Sequence, residues 1–239
     1  MPIRAILFDL GDTIFRLDPI GPAVEDDLAR LLREHASLPP GTAAAIAASL
    51  SDRVRTYANG LSDGSELREI DIAREASNLI RAARATVPGP TAEAIAQLFS
   101  EADIARFRPA LDCASRVEAF RRAGFRLAIV SNTSSSPALM SAYLASAGLH
   151  DLFDAIVFSS ALGWRKPDPR VYHAALGGLS VAAGEALFVG DRVLQDVTGR
   201  QAIGIPAVLT HEFRQEPPGQ SRPVAIIERL EDLHTVVAR

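Results

Sequence analysis

Apolar positions along this chain follow two different patterns. Short continuous runs, each closed by Gly, Asp or Ser, occur at Ile3-Arg4-Ala5-Ile6-Leu7-Phe8 before Asp9-Leu10-Gly11-Asp12-Thr13, at Leu127-Ala128-Ile129-Val130 before Ser131-Asn132-Thr133, and at Ala186-Leu187-Phe188-Val189 before Gly190-Asp191. Runs of this length, rich in branched residues and bounded by turn formers, read as buried parallel strands. Further strands are expected from Ala155 to Phe158, Pro206 to Leu209 and Val224 to Ile227. Between roughly Arg16 and Ala105 the pattern changes to a helical one. Val24, Leu28, Leu31, Leu32 and His35 fall on one helical face, as do Ile46, Leu50, Val54 and Tyr57 in the next segment. Helical patterning continues near Glu66 to Ala85 and Thr91 to Phe107, with Asn59-Gly60, Asp63-Gly64 and Val87-Pro88-Gly89-Pro90 as separators. From Phe107 onward strands and helices alternate, which predicts an α/β fold with a parallel sheet covered on both faces. The helical stretch then reads as a bundle inserted just after the first strand. Gln215 to Arg222 is expected to be a polar Pro/Gly loop.

The strand ends matter because open parallel sheets bind ligands at their carboxyl edge. Here three such ends supply a carboxylate (Asp9), a hydroxyl (Ser131) and a carboxylate pair (Asp191, with Asp196 five residues on). Composition adds one more candidate. Of the 25 basic side chains 24 are arginine, and the single lysine, Lys166, lies in Gly163-Trp164-Arg165-Lys166-Pro167-Asp168-Pro169. A compact ammonium fits between two close anionic groups where a broad guanidinium does not. Taken alone, the lysine is equally a survivor on a solvated loop. Its place between the second and third strand ends shifts that balance.

The net charge of −4 and the scattering of arginines among acids give no basis for nucleic-acid binding. No apolar stretch approaches the length of a membrane span, and the N-terminal run becomes a strand, so a cytoplasmic protein is expected. Cys113 has no partner for an internal disulfide and reads as a small buried residue of the helix before Gly124.

In order and spacing these residues resemble the haloacid dehalogenase-like (HAD) hydrolase superfamily over nearly the whole chain. Asp9-Leu10-Gly11-Asp12-Thr13 resembles the first motif, with Asp9 as nucleophile; Ser131 matches the phosphate-binding hydroxyl of the second; Lys166 in Lys-Pro-Asp-Pro matches the third; Gly190-Asp191 and Asp196 match the acidic fourth. The resemblance implies a Rossmann-like core at 1–15 and 106–239 and a C1-type helical cap at 16–105, hinged near 14–19 and 104–110. It implies Mg2+ held by Asp9, Asp191, Asp196 and the backbone carbonyl of Gly11. Thr13 and Asn132 stand where phosphate or substrate contacts are expected. Asp168 reads as a turn residue, and Trp164 as packing for the loop.

The activity implied is hydrolysis of a small phosphorylated metabolite, a phosphate monoester, through an aspartyl-phosphate intermediate. One departure bears on it: many phosphatases of the family carry a second Asp two residues after the nucleophile, where this chain has Gly11. A 2-haloacid dehalogenase, which also lacks that Asp, and a catalytically silent phosphate-binding protein are the competing readings. The family's dehalogenases work without metal, so Asp191 argues against the first. A phosphonatase would need a cap lysine, and residues 16–105 contain none.

Overall fold

The computed structural model describes residues 2–18, 23–63, 66–87, 91–110, 112–199 and 203–238. Its centre is β1 (Ala5–Phe8), every residue of which is buried. The chain then makes a short strand β2 (Phe15–Leu17), four helices, α1 (Ala23–Ala36), α2 (Pro40–Asp63), α3 (Ile72–Ala82) and α4 (Thr91–Ile104), and the strand β3 (Phe107–Pro109). Alternation follows: α5 (Cys113–Arg122), β4 (Arg126–Ser131), α6 (Pro137–Ser146), β5 (Ala155–Phe158), α7 (Ser159–Leu162), α8 (Pro169–Leu179), β6 (Ala186–Gly190), β7 (Ala207–Thr210), β8 (Ala225–Ile227) and α9 (Leu233–Val237).

Six strands form one parallel sheet in the order β5-β4-β1-β6-β7-β8. Because successive side chains of a strand point to opposite faces, β1 feeds two cores. Ile6 and Phe8 pack with Val117 and Phe120 of α5 and with Met140 and Leu144 of α6, while Ala5 and Leu7 pack with Val171, Tyr172 and Leu176 of α8. This is the expected α/β class. Cys113 is buried at the start of α5, as its sequence context suggested.

The four helices from α1 to α4 bury a separate core, in which Leu28 and Leu32 meet Ile46, Leu50, Ile72, Ile80 and Ile95. The side chains of Val24 and His35, expected on the same face, lie outside the described residues, as do Gly64, Pro88, Gly89 and Pro90 of the expected separators. Asn59-Gly60 does not end a helix: α2 runs through it to Asp63. A single internal Gly costs a helix only about 1 kcal/mol, which a long packed helix absorbs. The segment expected to be helical from Glu66 begins its helix only at Ile72, where Asp71 accepts a hydrogen bond from Arg74 N at 2.9 Å.

Where the helical layer joins the sheet layer, β2 and β3 pair as a two-stranded antiparallel ribbon, Phe15 opposite Pro109 and Leu17 opposite Phe107. Both chain crossings thus run side by side at 15–18 and 106–109, within the stretches expected as hinges; residue 19 of the first lies outside the described residues. Phe15, Phe107 and Tyr143 meet in edge-on and tilted contacts, their ring centroids 5.6 to 5.7 Å apart, and fasten the ribbon to the sheet layer. Among the described residues no helix is long and apolar enough to cross a membrane.

Candidate active site

The strand order sets the site before any side chain is considered. Since β1 lies between β4 and β6, the residues that end or follow these strands, Asp9, Ser131 and Asp191, emerge side by side at one sheet edge. The backbone of Asp9 is fixed there by a hydrogen bond from its N–H to Val189 O at 2.9 Å.

Lys166 reaches into this edge from the loop before α8. Its Nζ donates to Asp9 Oδ1 at 2.6 Å and to Asp196 Oδ1 at 2.7 Å, and its side chain is only 1% exposed. Burial works against the ammonium, but Asp196 and then Asp9 outweigh it and hold its pKa above the ordinary lysine value. Asn132 holds the lysine's main chain: its Oδ1 accepts from Lys166 N at 2.7 Å, and its Nδ2 donates to Lys166 O at 3.0 Å and to Gln195 Oε1 at 3.1 Å. Expected to face a substrate, Asn132 is engaged at both ends of its amide in placing Lys166. Ser131 is buried at the end of β4. Thr13 is wholly buried, and its hydroxyl finds no partner among the described residues.

Asp191 and Asp196 complete the edge. Asp196 belongs to a π-helical turn, Val193–Thr198, of a kind common at functional sites. Its Oδ2 accepts from Arg192 N at 2.9 Å, and Tyr172 supports the turn by donating to Gln195 O. Gly190 is required by this packing, since a Cβ there would lie 2.3 Å from Asp196 Cγ. One oxygen each from Asp9, Asp191 and Asp196 lies within 4.8 Å of the others. Both oxygens of Asp191 are buried without a hydrogen bond from the described residues. Arg214 Nε lies 3.1 Å from Asp191 Oδ2, but off the line of a hydrogen bond. Burial first, then the charges of Asp9 and Asp196, push the Asp191 pKa up to about 9. Burial likewise pushes Asp196 up to about 6 against the pull of Lys166. Three clustered carboxylates, of which Asp191 accepts no hydrogen bond from the described residues, make an all-oxygen donor set that fits a hard divalent cation.

The loop after Asp9 differs from a plain open turn. A Cβ on Gly11 would meet Leu17 Cδ1 at 2.5 Å, so β2 lays an apolar side chain where a side chain of residue 11 would begin. Asp12, at φ 53°, turns its carboxylate to the same ribbon, and its Oδ1 accepts from Leu17 N at 2.9 Å.

A second group of residues ties the helical layer to the lysine loop, and sequence reading missed it. Residues 67–69 pair with 163–165: Arg165 N donates to Leu67 O at 3.0 Å and Glu69 N to Gly163 O at 3.1 Å. This pairing explains why the helix expected from Glu66 starts late. Glu69 is buried and accepts from Ser159 Oγ, from Tyr57 OH at 2.7 Å and from Arg165 at 3.2 Å. Burial pushes the Glu69 carboxyl above its ordinary pKa, opposed chiefly by Arg165. Trp164 packs the loop as expected, with Arg170 and Arg68 stacked 3.1 and 4.0 Å from its ring centroid. Asp168 is a turn residue, capping α8 through Arg170 N at 2.9 Å.

With the two side chains only 6% and 2% exposed, Arg165→Met or Glu69→Gln should each cost roughly 3 to 5 kcal/mol, because each strands a buried polar or charged partner. The double variant should recover most of that loss. Denaturant unfolding of the four proteins measures the coupling, and single losses below about 1 kcal/mol would show that this contact does not hold the layers together.

The haloacid dehalogenase-like hydrolase model matches residues 3–204 of the chain. The human haloacid dehalogenase-like hydrolase domain-containing protein 3 is 31% identical over 215 residues, covering 87% of this chain and 82% of that protein. The glyceraldehyde 3-phosphate phosphatase of Methanopyrus kandleri is 25% identical over 206 residues, 86% of this chain and 83% of that one. Among solved structures, a 2-haloacid dehalogenase from Pseudomonas syringae pv. Tomato DC3000 aligns with a TM-score of 0.68 over 99% of both chains at 23% identity, a likeness of fold. A family match across most of the chain, joined by a relative of similar length, agrees with the sheet edge described above: the chain is an enzyme of the haloacid dehalogenase-like hydrolase family.

Proposed function

We propose that this enzyme is a magnesium-dependent hydrolase of a small phosphorylated metabolite, with Asp9 as nucleophile. The observation that carries this reading is the fully buried Lys166 ammonium shared between Asp9 and Asp196, beside an Asp191 carboxylate that accepts no hydrogen bond from the described residues. Lys166 ties up Asp9 Oδ1, sets a positive charge beside the nucleophile and leaves Oδ2 for attack on phosphorus. At a few ångströms such a charge pair is worth about 4 kcal/mol at an effective dielectric of 20. Ser131, and Thr13 if the loop shifts, would supply hydroxyls to the phosphate oxygens. Asp9, Asp191, Asp196 and the carbonyl of Gly11 would hold the magnesium ion. When bound, it offsets the negative charge that a phosphate and Asp9 bring together. The helices between residues 16 and 105 act as a cap domain over the core formed by 1–15 and 106–239, and the ribbon β2–β3 is their hinge. The names of phosphatase relatives such as that of Methanopyrus kandleri support the choice of a phosphorylated small molecule.

Dehalogenation is the second reading, since carbon–halogen cleavage also needs no acid at Gly11. The two separate cleanly. Phosphate release from a panel of phosphate monoesters and acetyl phosphate, and chloride release from chloroacetate, are measured with added magnesium and with a chelator. Phosphate release that disappears with the chelator, and no chloride, is the expected result. Chloride release, or turnover indifferent to the chelator, would overturn the proposal.

A further inference from the structure

We propose that the phosphoryl donor is an acyl phosphate, the mixed anhydride of a carboxylic acid and phosphoric acid, and not an alkyl phosphate ester; this rests on the phosphatase reading above. The ground is the chemistry of the leaving group. When Asp9 Oδ2 bonds to phosphorus and the opposite P–O bond breaks, the bonding pair leaves on the departing oxygen. An alkoxide is about as basic as hydroxide, whose parent water has a pKa of about 15.7, so an alkyl ester needs a proton donor at that oxygen. A carboxylate, with a pKa of about 4, departs without one.

Among the described carboxyl groups and the lysine at this edge, none is left over to serve as such a donor. Gly11 has no side chain, and the space beside it is filled by Leu17. Asp12 is committed to Leu17 N. Lys166 is bound to the nucleophile's own Oδ1, on the side of phosphorus away from an in-line leaving group. Asp191 and Asp196 belong to the cation cluster. Among the described residues of the helical layer, the acids that contact the loops of this edge are also engaged: Asp103 by Arg106 at 2.6 Å and Ser135 at 2.8 Å, and Glu69 by Ser159, Tyr57 and Arg165. An apolar methyl group, not a carboxyl, faces the loop that follows the nucleophile.

With an acyl phosphate the first step breaks one carboxyl–phosphoryl bond and makes another at Asp9, so it is close to balanced. In the second step water bonds to phosphorus, the pair of the Asp9–phosphorus bond returns to the carboxylate, and the water's proton passes to phosphate or solvent. Asp9 is again a leaving group that needs no proton. With no base placed to take the water's proton, this second step is slow and common to all donors.

The test uses the full chain with magnesium and three donors: acetyl phosphate, p-nitrophenyl phosphate and glycerol 3-phosphate, each corrected for spontaneous hydrolysis. The expected results are a kcat/KM for acetyl phosphate at least about 100-fold above that for glycerol 3-phosphate, the lower end of the usual worth of general acid catalysis, and a rapid-quench burst of nitrophenol close to one per enzyme. Equal kcat/KM for acetyl and glycerol phosphates would overturn the inference and leave the phosphatase reading standing. So would turnover of nitrophenyl phosphate with none of acetyl phosphate. Failure of all three donors would sink the phosphatase reading itself. The double variant Gly11→Asp/Leu17→Ala, which places a carboxyl in the space cleared of Leu17, should raise the ratio of glycerol phosphate to acetyl phosphate kcat/KM by 10-fold or more; an unchanged ratio in folded variant protein would also overturn the inference.

Discussion

Asp9→Asn should lower phosphate release by roughly 10^4-fold or more, the scale seen when an enzyme loses its covalent nucleophile, while the protein stays folded. The amide has the carboxylate's shape, and its oxygen can still accept from Lys166 Nζ, now 2.6 Å from Asp9 Oδ1. What it lacks is nucleophilic strength. Folding should not suffer, because Asp9 is one of three carboxylates that repel one another and its charge helps push Asp191 up. Removing one charge from that cluster relieves repulsion, whereas Asp196 still pairs with the ammonium at 2.7 Å. A melting temperature no lower than that of the parent, together with loss of the acid-stable phosphoryl adduct by mass spectrometry, is therefore expected. An Asp9→Asn protein with turnover within tenfold of the parent would remove Asp9 from the mechanism.

That Asp9 could be singled out at all reflects what parallel sheets write into sequence. A buried strand of this kind is a short branched apolar run, and its carboxyl end must turn, so β1, β4 and β6 announced both themselves and the residues they deliver. The expected strand at Ala155 to Phe158 coincides with β5, and those near Pro206 and Val224 fall within a residue of β7 and β8. Legibility dropped wherever tertiary contact overrode local pattern. Residues 67–69 carry helical spacing but extend to pair with 163–165. Strands β2 and β3 have three residues each, too few for a period to show. The helix α4 stops at Ile104, short of the expected Phe107, because Phe107 opens β3.

The site divided in the same way. Asp9, Ser131, Asp191 and Asp196 were legible because they follow strands in order, and Lys166 because the rest of the chain uses arginine. Glu69 and Arg214 left no such signal. One is an acid in a polar loop of the helical layer, and the other follows β7 in a stretch with no motif. Their roles arise only when distant segments meet Arg165 and Asp191. Leu17 was equally silent, since nothing local says that its methyl group will rest against Gly11. Asn132 was found as a residue of the site, yet the work its amide does for Lys166 depends on a loop 34 positions away.

The lone lysine yields the second large effect. Lys166→Arg keeps the charge and should still reduce kcat by about 100-fold or more. The Lys166 side chain is closed in by Asp9, Asp196 and the Phe188 ring, 5.2 Å from Nζ. A guanidinium brings a wider planar group into a space already filled, and overpacking of this kind costs typically 1 to 3 kcal/mol. The strain is relieved most readily by moving Asp9, and a displacement of about 1 Å at a reacting group costs on the order of 100-fold. Lys166→Met separates this from a merely structural role. It removes the counter-charge of the fully buried Asp196 and should lower stability by roughly 3 to 5 kcal/mol. The signs with pH also differ. In the parent protein the lysine's pKa is raised, so its contribution is fully present below the unfolded value of about 10.4 and is lost only as pH climbs beyond it. In Lys166→Met the buried Asp196, already raised by burial, loses the cation that pulls its pKa down, so that variant should be least destabilised in acid and lose stability as pH rises. If charge alone mattered, Lys166→Arg would match the parent in both rate and stability. If Lys166→Arg keeps full turnover, the position needs only a cation, and the bias that spared one lysine here has no chemical cause.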